Sequence, residues 1–167
     1  LEWFPKNGNI TIDSLKSIIE KIDADVYALQ EIDNIGSFNM LKNQLLGYSG
    51  LLKNTSNLNL AFLYKNSTTV DSAYSILDDY DYVFAGRTPF VIDLNFNGMN
   101  ISLFNNHFKC CGDGTLNTGD SSDEEYRRQQ ATNYLKNYIH TNNYSNPIIL
   151  GESNAWIEDH IYDNVFI

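Results

Sequence analysis

Asn97-Gly98 lies between two strand-like runs, Pro89–Phe96 and Met99–Phe108. Asn-Gly is the pair that a tight type I′ turn favours, because both central residues need positive φ. The dipeptide therefore predicts an antiparallel hairpin with its register set by the turn. Any fold available to this chain must accommodate that hairpin, and must do something with the polar run Asn105-Asn106-His107 at the end of its second strand.

The N-terminal part reads differently. Leu1–Phe4 resembles the stub of a strand. Thr11–Ile22 predicts a helix with Ile12, Leu15, Ile19 and Ile22 on one face and Thr11 or Asp13 as its cap. Val26–Leu29 is a short buried strand ending at Gln30-Glu31, and a second helix from about Gly36 to Leu46 presents Phe38, Leu41, Leu45 and Leu46. Strand, helix, strand, helix is the opening of an α/β layer architecture.

Beyond it, Leu58–Tyr64 and Val70–Leu77 read as strands leading to the hairpin. Ser122 with Glu125 forms a capping-box pattern, Asp123 and Glu124 suit the helix dipole, and Ala131, Leu135, Tyr138 and Ile139 supply the buried face. Pro147–Leu150 is a buried strand running into Gly151-Glu152-Ser153-Asn154, and the remainder from Ala155 to Ile167 is loop-like. No repeat or linker interrupts the chain, so 1–167 is read as one domain.

Composition limits the possible functions. With 43% hydrophobic and 13% aromatic residues, the 167-residue chain has ample material for a core despite a net charge of −10. Only 19% of residues are charged; 22 Asn make up much of the polar share. Eleven basic residues against 21 acidic ones weigh against holding nucleic acid by charge alone, since that affinity comes from neutralising phosphates. An enzyme that meets one phosphate through a metal ion is not excluded. No run reaches the ~18 apolar residues of a membrane span, and no signal peptide is visible. Cys110 and Cys111 are adjacent and cannot staple distant parts of the chain. They read as free thiols, with a strained vicinal disulfide as the alternative, which leaves the redox compartment open.

Three polar clusters sit where apolar strands end: Gln30-Glu31, Asn105-Asn106-His107, and Glu152 with Asn154. Rigid strands in α/β folds aim side chains from their carboxyl ends into a shared crevice. Carboxylates, an imidazole and an amide converging there suit a hard divalent cation and a phosphate, and oxygen ligands favour Mg²⁺. Each cluster alone has a plain alternative. Glu31 fits a solvated strand end, His107 a satisfied imidazole, and Glu152 with Asn154 a set of turn hydrogen bonds. Lys109 fits an ordinary surface lysine.

The order of five segments narrows these alternatives. They are Leu1-Glu2-Trp3-Phe4, Asp25–Glu31, Gly86-Arg87-Thr88-Pro89-Phe90, Asn105–Lys109 and Ile149–Asn154. Together they resemble the endonuclease/exonuclease/phosphatase family, with its deoxyribonuclease I-like fold. The resemblance implies a four-layered α/β (α+β) sandwich of two mixed β-sheets flanked by helices. It also implies hydrolysis of a phosphoester with Mg²⁺ or Mn²⁺; substrates in the family include DNA, RNA, inositol phosphates and sphingomyelin. Residue by residue, it makes Glu31 the metal ligand, and His107, Glu152 and Asn154 the catalytic group. Arg87, Asn106 and Lys109 fall on the substrate side, with Arg87 bracing the phosphate-side loop.

Two departures qualify the match. Glu152 stands where the family has aspartate, and one extra methylene moves that carboxylate by roughly 1 Å, a misplacement that can cost about 10²-fold in rate. Ser153 stands where a large apolar residue is usual. The family's opening asparagine and closing Asp-His pair have no counterpart here, and Asp159-His160 lies too close behind Asn154 to serve as that pair. The expectation is therefore about two-thirds of a domain, incomplete at the C-terminus, with weak or no activity. A metal-dependent phosphodiesterase or endonuclease is the leading reading. The alternatives are a phosphomonoesterase or lipid phosphodiesterase of the same family, and a degenerate binding module. A monomer is expected, with secretion favoured because many relatives act outside the cytoplasm.

Overall fold

A computed structural model describes residues 1–155. The expected Asn97-Gly98 turn is present, with φ of +53° and +83°, and it joins β5 (Phe90–Phe96) to β6 (Met99–His107) as an antiparallel pair. Their register runs from Phe96↔Met99 to Phe90↔Asn105, which brings the polar end of β6 beside the start of β5. Before them come α1 (Asn9–Ile22), β1 (Val26–Ile32), α2 (Ile35–Gln44), β2 (Tyr48–Lys53), β3 (Asn59–Lys65) and β4 (Thr69–Ser75). After them come α3 (Glu124–Thr141) and β7 (Pro147–Glu152).

The strands form two sheets. One has the order β1-β3-β2 with antiparallel pairing, and Phe4 adds a parallel bridge to Ile32. Phe4, α1 and β1 thus make a small strand–helix–strand unit, as the opening pattern predicted. The other has the order β4-β5-β6-β7, antiparallel except for the parallel β6–β7 pair that α3 connects.

Period-two alternation sorts the strand side chains into layers. On β3, Leu60 and Phe62 face Phe90, Ile92, Leu94 and Leu103 between the sheets. Ala61 and Leu63 face the other way and pack with Ile12, Leu15, Ile19, Phe38, Leu41 and Leu45 of the N-terminal helical layer. On β5 and β6, Val91 and Phe104 turn outward to Ala131 and Leu135 of α3. The result is helices, sheet, sheet, helix: the expected four-layered sandwich.

Some local expectations are corrected. The caps differ. Gly8 precedes α1 without a side-chain cap, and Thr11 Oγ1 instead accepts from the Asn7 amide at 3.0 Å. At α3 the cap is Asp123, whose carboxylate accepts from the Tyr126 amide at 2.7 Å, so Ser122 is one residue too early. Glu125 turns away from a capping box to the Gly114 amide and Arg128. Ile22 and Leu46, expected in the core, are 62% and 91% exposed: the α1 stripe ends one turn sooner, at Ile19, and Leu46 lies past the end of α2 at Gln44. The expected loop from residue 156 onward, Asp159-His160 included, lies outside the described residues.

Candidate active site

The polar strand ends meet at one end of the sandwich. Leu150 and Leu103 are inward-facing positions on neighbouring strands, so residues two and four further along face inward as well: Glu152 on β7, and Asn105 and His107 on β6. His107 and Glu152 are direct partners in the parallel register.

Glu31 needs a different device. Val26 and Ala28 face between the sheets while Leu29 and Ile32 face the helices. Strict alternation would send Glu31 toward the helices. A register shift between Leu29 and Ile32 interrupts the β1–β3 ladder, and Glu31 takes a left-handed φ of +59°. Such a bulge re-aims a side chain. Here it brings Glu31 to the same side as Gln30, toward the second sheet.

Asn105 holds the bulge in place. It is fully buried, and its Nδ2 donates to Leu29 O at 3.1 Å and Ala61 O at 2.9 Å, the last regular pair before the shift. Its Oδ1 accepts from Gln30 Nε2 at 2.6 Å. Glu31 Oε2 accepts from the Trp3 amide at 2.8 Å, so the N-terminal segment also fixes this carboxylate.

The outcome is a compact triad. His107 Nε2 lies 3.7 Å from Glu31 Oε1 and 3.7 Å from Glu152 Oε2. One ligand atom from each residue falls within 4.8 Å of the others. The imidazole is buried, with its side chain only 1% exposed, whereas Glu152 is 37% exposed and opens the cluster to solvent. Burial, assisted by the Arg87 cation, pushes the His107 imidazole down to about 3, so it is neutral at physiological pH. Burial and the nearby Glu31 push the Glu152 carboxyl up. Among the described residues, His107 Nδ1 and Asn106 Oδ1 are buried without a hydrogen-bond partner.

The remaining expected residues surround this triad in bracing positions. Arg87 is 4% exposed, and its guanidinium donates to His107 O at 3.2 Å and Phe108 O at 3.0 Å. Burial lowers the pKa of that guanidinium. Asn106 Nδ2 donates to Phe104 O at 2.9 Å and Leu150 O at 3.2 Å, tying β6 to β7. Asn154 Nδ2 donates to Phe108 O at 2.9 Å. Lys109 Nζ lies 3.6 Å from Glu124 and donates to Cys110 O at 3.0 Å. Glu31, His107 and Glu152 are therefore brought together, while Arg87, Asn106, Asn154 and Lys109 hold the backbone and loop around them. The supporting roles of Gln30, Asn105 and the Trp3 amide had one visible signal in the sequence: two polar residues in succession inside a strand that resumes at Ile32.

A humanized D. rerio TDP2 with 14 mutations superposes with a TM-score of 0.75 at 16% identity, over 96% of this chain and 62% of that one. D. rerio TDP2 complexed with a single strand DNA product gives 0.71 at 17% identity, over 92% and 56%. An endonuclease/exonuclease/phosphatase family protein from Bacteroides thetaiotaomicron gives 0.67 at 12% identity, over 93% and 58%. The chain has the deoxyribonuclease I-like fold. That confirms the resemblance at the level of architecture. The chain spans from 56% to 62% of the length of these three structures. No protein-family model and no curated protein sequence matches it.

Proposed function

We propose that this chain carries a divalent-cation-dependent phosphodiesterase site, acting on a nucleic-acid-type phosphodiester. The observation that carries the reading is the meeting of Glu31, His107 and Glu152 at the sheet ends, with ligand atoms within 4.8 Å. Bonds of about 2.1 Å to Mg²⁺ place adjacent ligand atoms about 3 Å apart. The 3.7 Å separations are near that spacing and too long for direct hydrogen bonds, so the donor set fits a cation held among them. The two carboxylates are hard oxygen ligands of the kind that suit Mg²⁺ or Mn²⁺. The D. rerio TDP2 structure with a single strand DNA product supports a nucleic-acid substrate.

In this reading Glu31 is the principal cation ligand, set by the bulge and the Trp3 amide. A bound cation supplies Lewis-acid polarisation of a phosphoryl oxygen and offsets charge on the leaving oxygen. His107 would add its neutral Nε2 as a further ligand beside the two carboxylates. Glu152, whose carboxyl is pushed up by burial and by the neighbouring Glu31, orients the attacking water. Arg87 and Asn154 position the His107–Phe108 backbone rather than the substrate, and Asn106 keeps β7 aligned with β6. Lys109, paired with Glu124, lies at the rim on the substrate side. The net charge of −10 favours a small phosphodiester over a long duplex, and this is the second reading.

Bis-(p-nitrophenyl) phosphate and a short single-stranded oligonucleotide test the proposal. The expected result is slow hydrolysis that needs Mg²⁺ or Mn²⁺ and disappears in Glu31→Gln. Hydrolysis that persists in chelator, or that survives Glu31→Gln, contradicts it.

A further inference from the structure

Just beyond β6 lies a pair of groups that phosphoester chemistry does not use. Cys110 and Cys111 are both free; Cys111 is exposed and Cys110 half-buried. Successive side chains on extended backbone point to opposite sides, which holds adjacent thiols apart. Here Cys111 takes a φ of +72° and Gly112 one of +101°. The turn folds both side chains to one side, and the two Sγ atoms lie 2.9 Å apart.

That turn is held from outside. Arg128, 3% exposed, donates from Nη1 to Lys109 O at 2.9 Å and to Cys111 O at 2.7 Å. The guanidinium is fixed in turn by Glu125 at 3.0 Å. The carbonyls flanking the thiol pair are therefore clamped by a buried side chain, so the loop has already lost the freedom that would separate the sulfurs. Gly112 is required for the clamp: a Cβ there would meet the Glu125 carboxylate at 2.2 Å. Lys109 Nζ stands 4.0 Å from Cys110 Sγ.

We propose that Cys110–Cys111 is a reversible oxidation site, closed to a vicinal disulfide by low-molecular-weight disulfides of the glutathione type. One cysteine thiolate attacks the small disulfide, forming a mixed disulfide and releasing one small thiolate. The other cysteine, deprotonated, attacks the protein-side sulfur, closes the ring and expels the second small thiolate. Two electrons pass from the dithiol to the small disulfide, and both cysteine protons end on the released thiols. Closure needs the sulfurs to approach by about 0.9 Å to reach the ~2.05 Å bond length. The exposed Cys111 gives the reagent access, and the fixed turn makes the second step intramolecular.

The test treats the full chain with excess oxidised glutathione and follows intact mass and free-thiol titre. The expected product has lost two hydrogens and both thiols, carries no glutathione, maps to Cys110–Cys111 by fragmentation, and returns to the dithiol with dithiothreitol. Cys110→Ser is expected to stop at a stable glutathione adduct on Cys111, which shows that the second thiol performs the closure. Stable glutathione adducts on the native chain, or two thiols that stay unreacted, overturn the proposal. Neither readout depends on hydrolytic activity.

Discussion

Asn105→Ala is expected to loosen both the sandwich and the site, by an amount that follows from its contacts. The side chain is fully buried and makes three hydrogen bonds, to Leu29 O, Ala61 O and Gln30 Nε2. A hydrogen bond contributes about 1 kcal/mol net, and leaving a buried partner unsatisfied costs about 1–3 kcal/mol. All three partners sit where the β1–β3 register shifts, so the ladder offers them no regular replacement. Partial rehydration at the sheet end reduces the sum, which leaves about 3 kcal/mol of lost stability. With a urea m-value of about 2 kcal/mol/M, the unfolding midpoint falls by about 1.5 M. The thermal midpoint falls by about 6–12 °C for a chain of this size. The bulge that aims Glu31 is then unsupported, so Mn²⁺ affinity is expected to fall with stability. Urea unfolding followed by tryptophan fluorescence measures the first effect, and calorimetric Mn²⁺ titration the second. A midpoint within about 0.3 M of the parent would refute the claim that Asn105 holds the two sheets together at the site.

Four further perturbations separate other parts of the account. Gly151→Ala places a Cβ 1.9 Å from Asn106 O at a φ of +128°, so β7 must shift or strain; a loss of about 2–4 kcal/mol in urea unfolding is expected, and a neutral result refutes the close β6–β7 approach. Ile19→Ala, at a fully buried position, is expected to cost about 2–4 kcal/mol. Ile22→Glu, one turn along the same stripe, is expected to stay within about 0.5 kcal/mol by the same measurement. Asp78 supplies the pH test. Burial raises its carboxyl, but hydrogen bonds from Ser75 and Thr88 and the Lys53 cation outweigh burial and hold it below the usual carboxylate range. A depressed folded pKa gives stability that is complete above the unfolded value of about 3.9 and disappears as pH falls through the folded value. The gap in urea midpoint between parent and Asp78→Asn is therefore expected to hold steady above about pH 5 and to shrink on acidification; a gap that widens in acid contradicts the assignment.

What the sequence showed and what it hid follow from different physics. Long, strongly patterned elements were legible, because one buried stripe or one turn decides them. The Asn97-Gly98 hairpin and the Ile12–Leu15–Ile19 face belong to this group. β2 was not legible, because every residue from Tyr48 to Lys53 is half-buried and no alternation marks it. Gly50 weakens the strand signal yet is required there: a Cβ would meet Leu63 Cδ2 at 2.9 Å and Phe38 Cζ at 3.1 Å, where α2 crosses the sheet. Glu31, His107 and Glu152 stood out as polar strand ends, and the fold brings them together. Their support did not stand out. Asn105 acts on backbone carbonyls remote in sequence, and a backbone acceptor has no residue type to reveal it. The bulge at Gln30-Glu31 was hidden for the same reason, since it depends on bonds from β6.

The central claim is that Glu31, His107 and Glu152 form one divalent-cation site. Mn²⁺ titration of the ¹⁵N-labelled full chain, read by paramagnetic broadening, tests it most directly. The account predicts saturable broadening centred on Glu31, His107 and Glu152, abolished in Glu31→Gln while the rest of the spectrum keeps its native dispersion. Broadening that leaves these three residues untouched, or that is the same in Glu31→Gln, would contradict it.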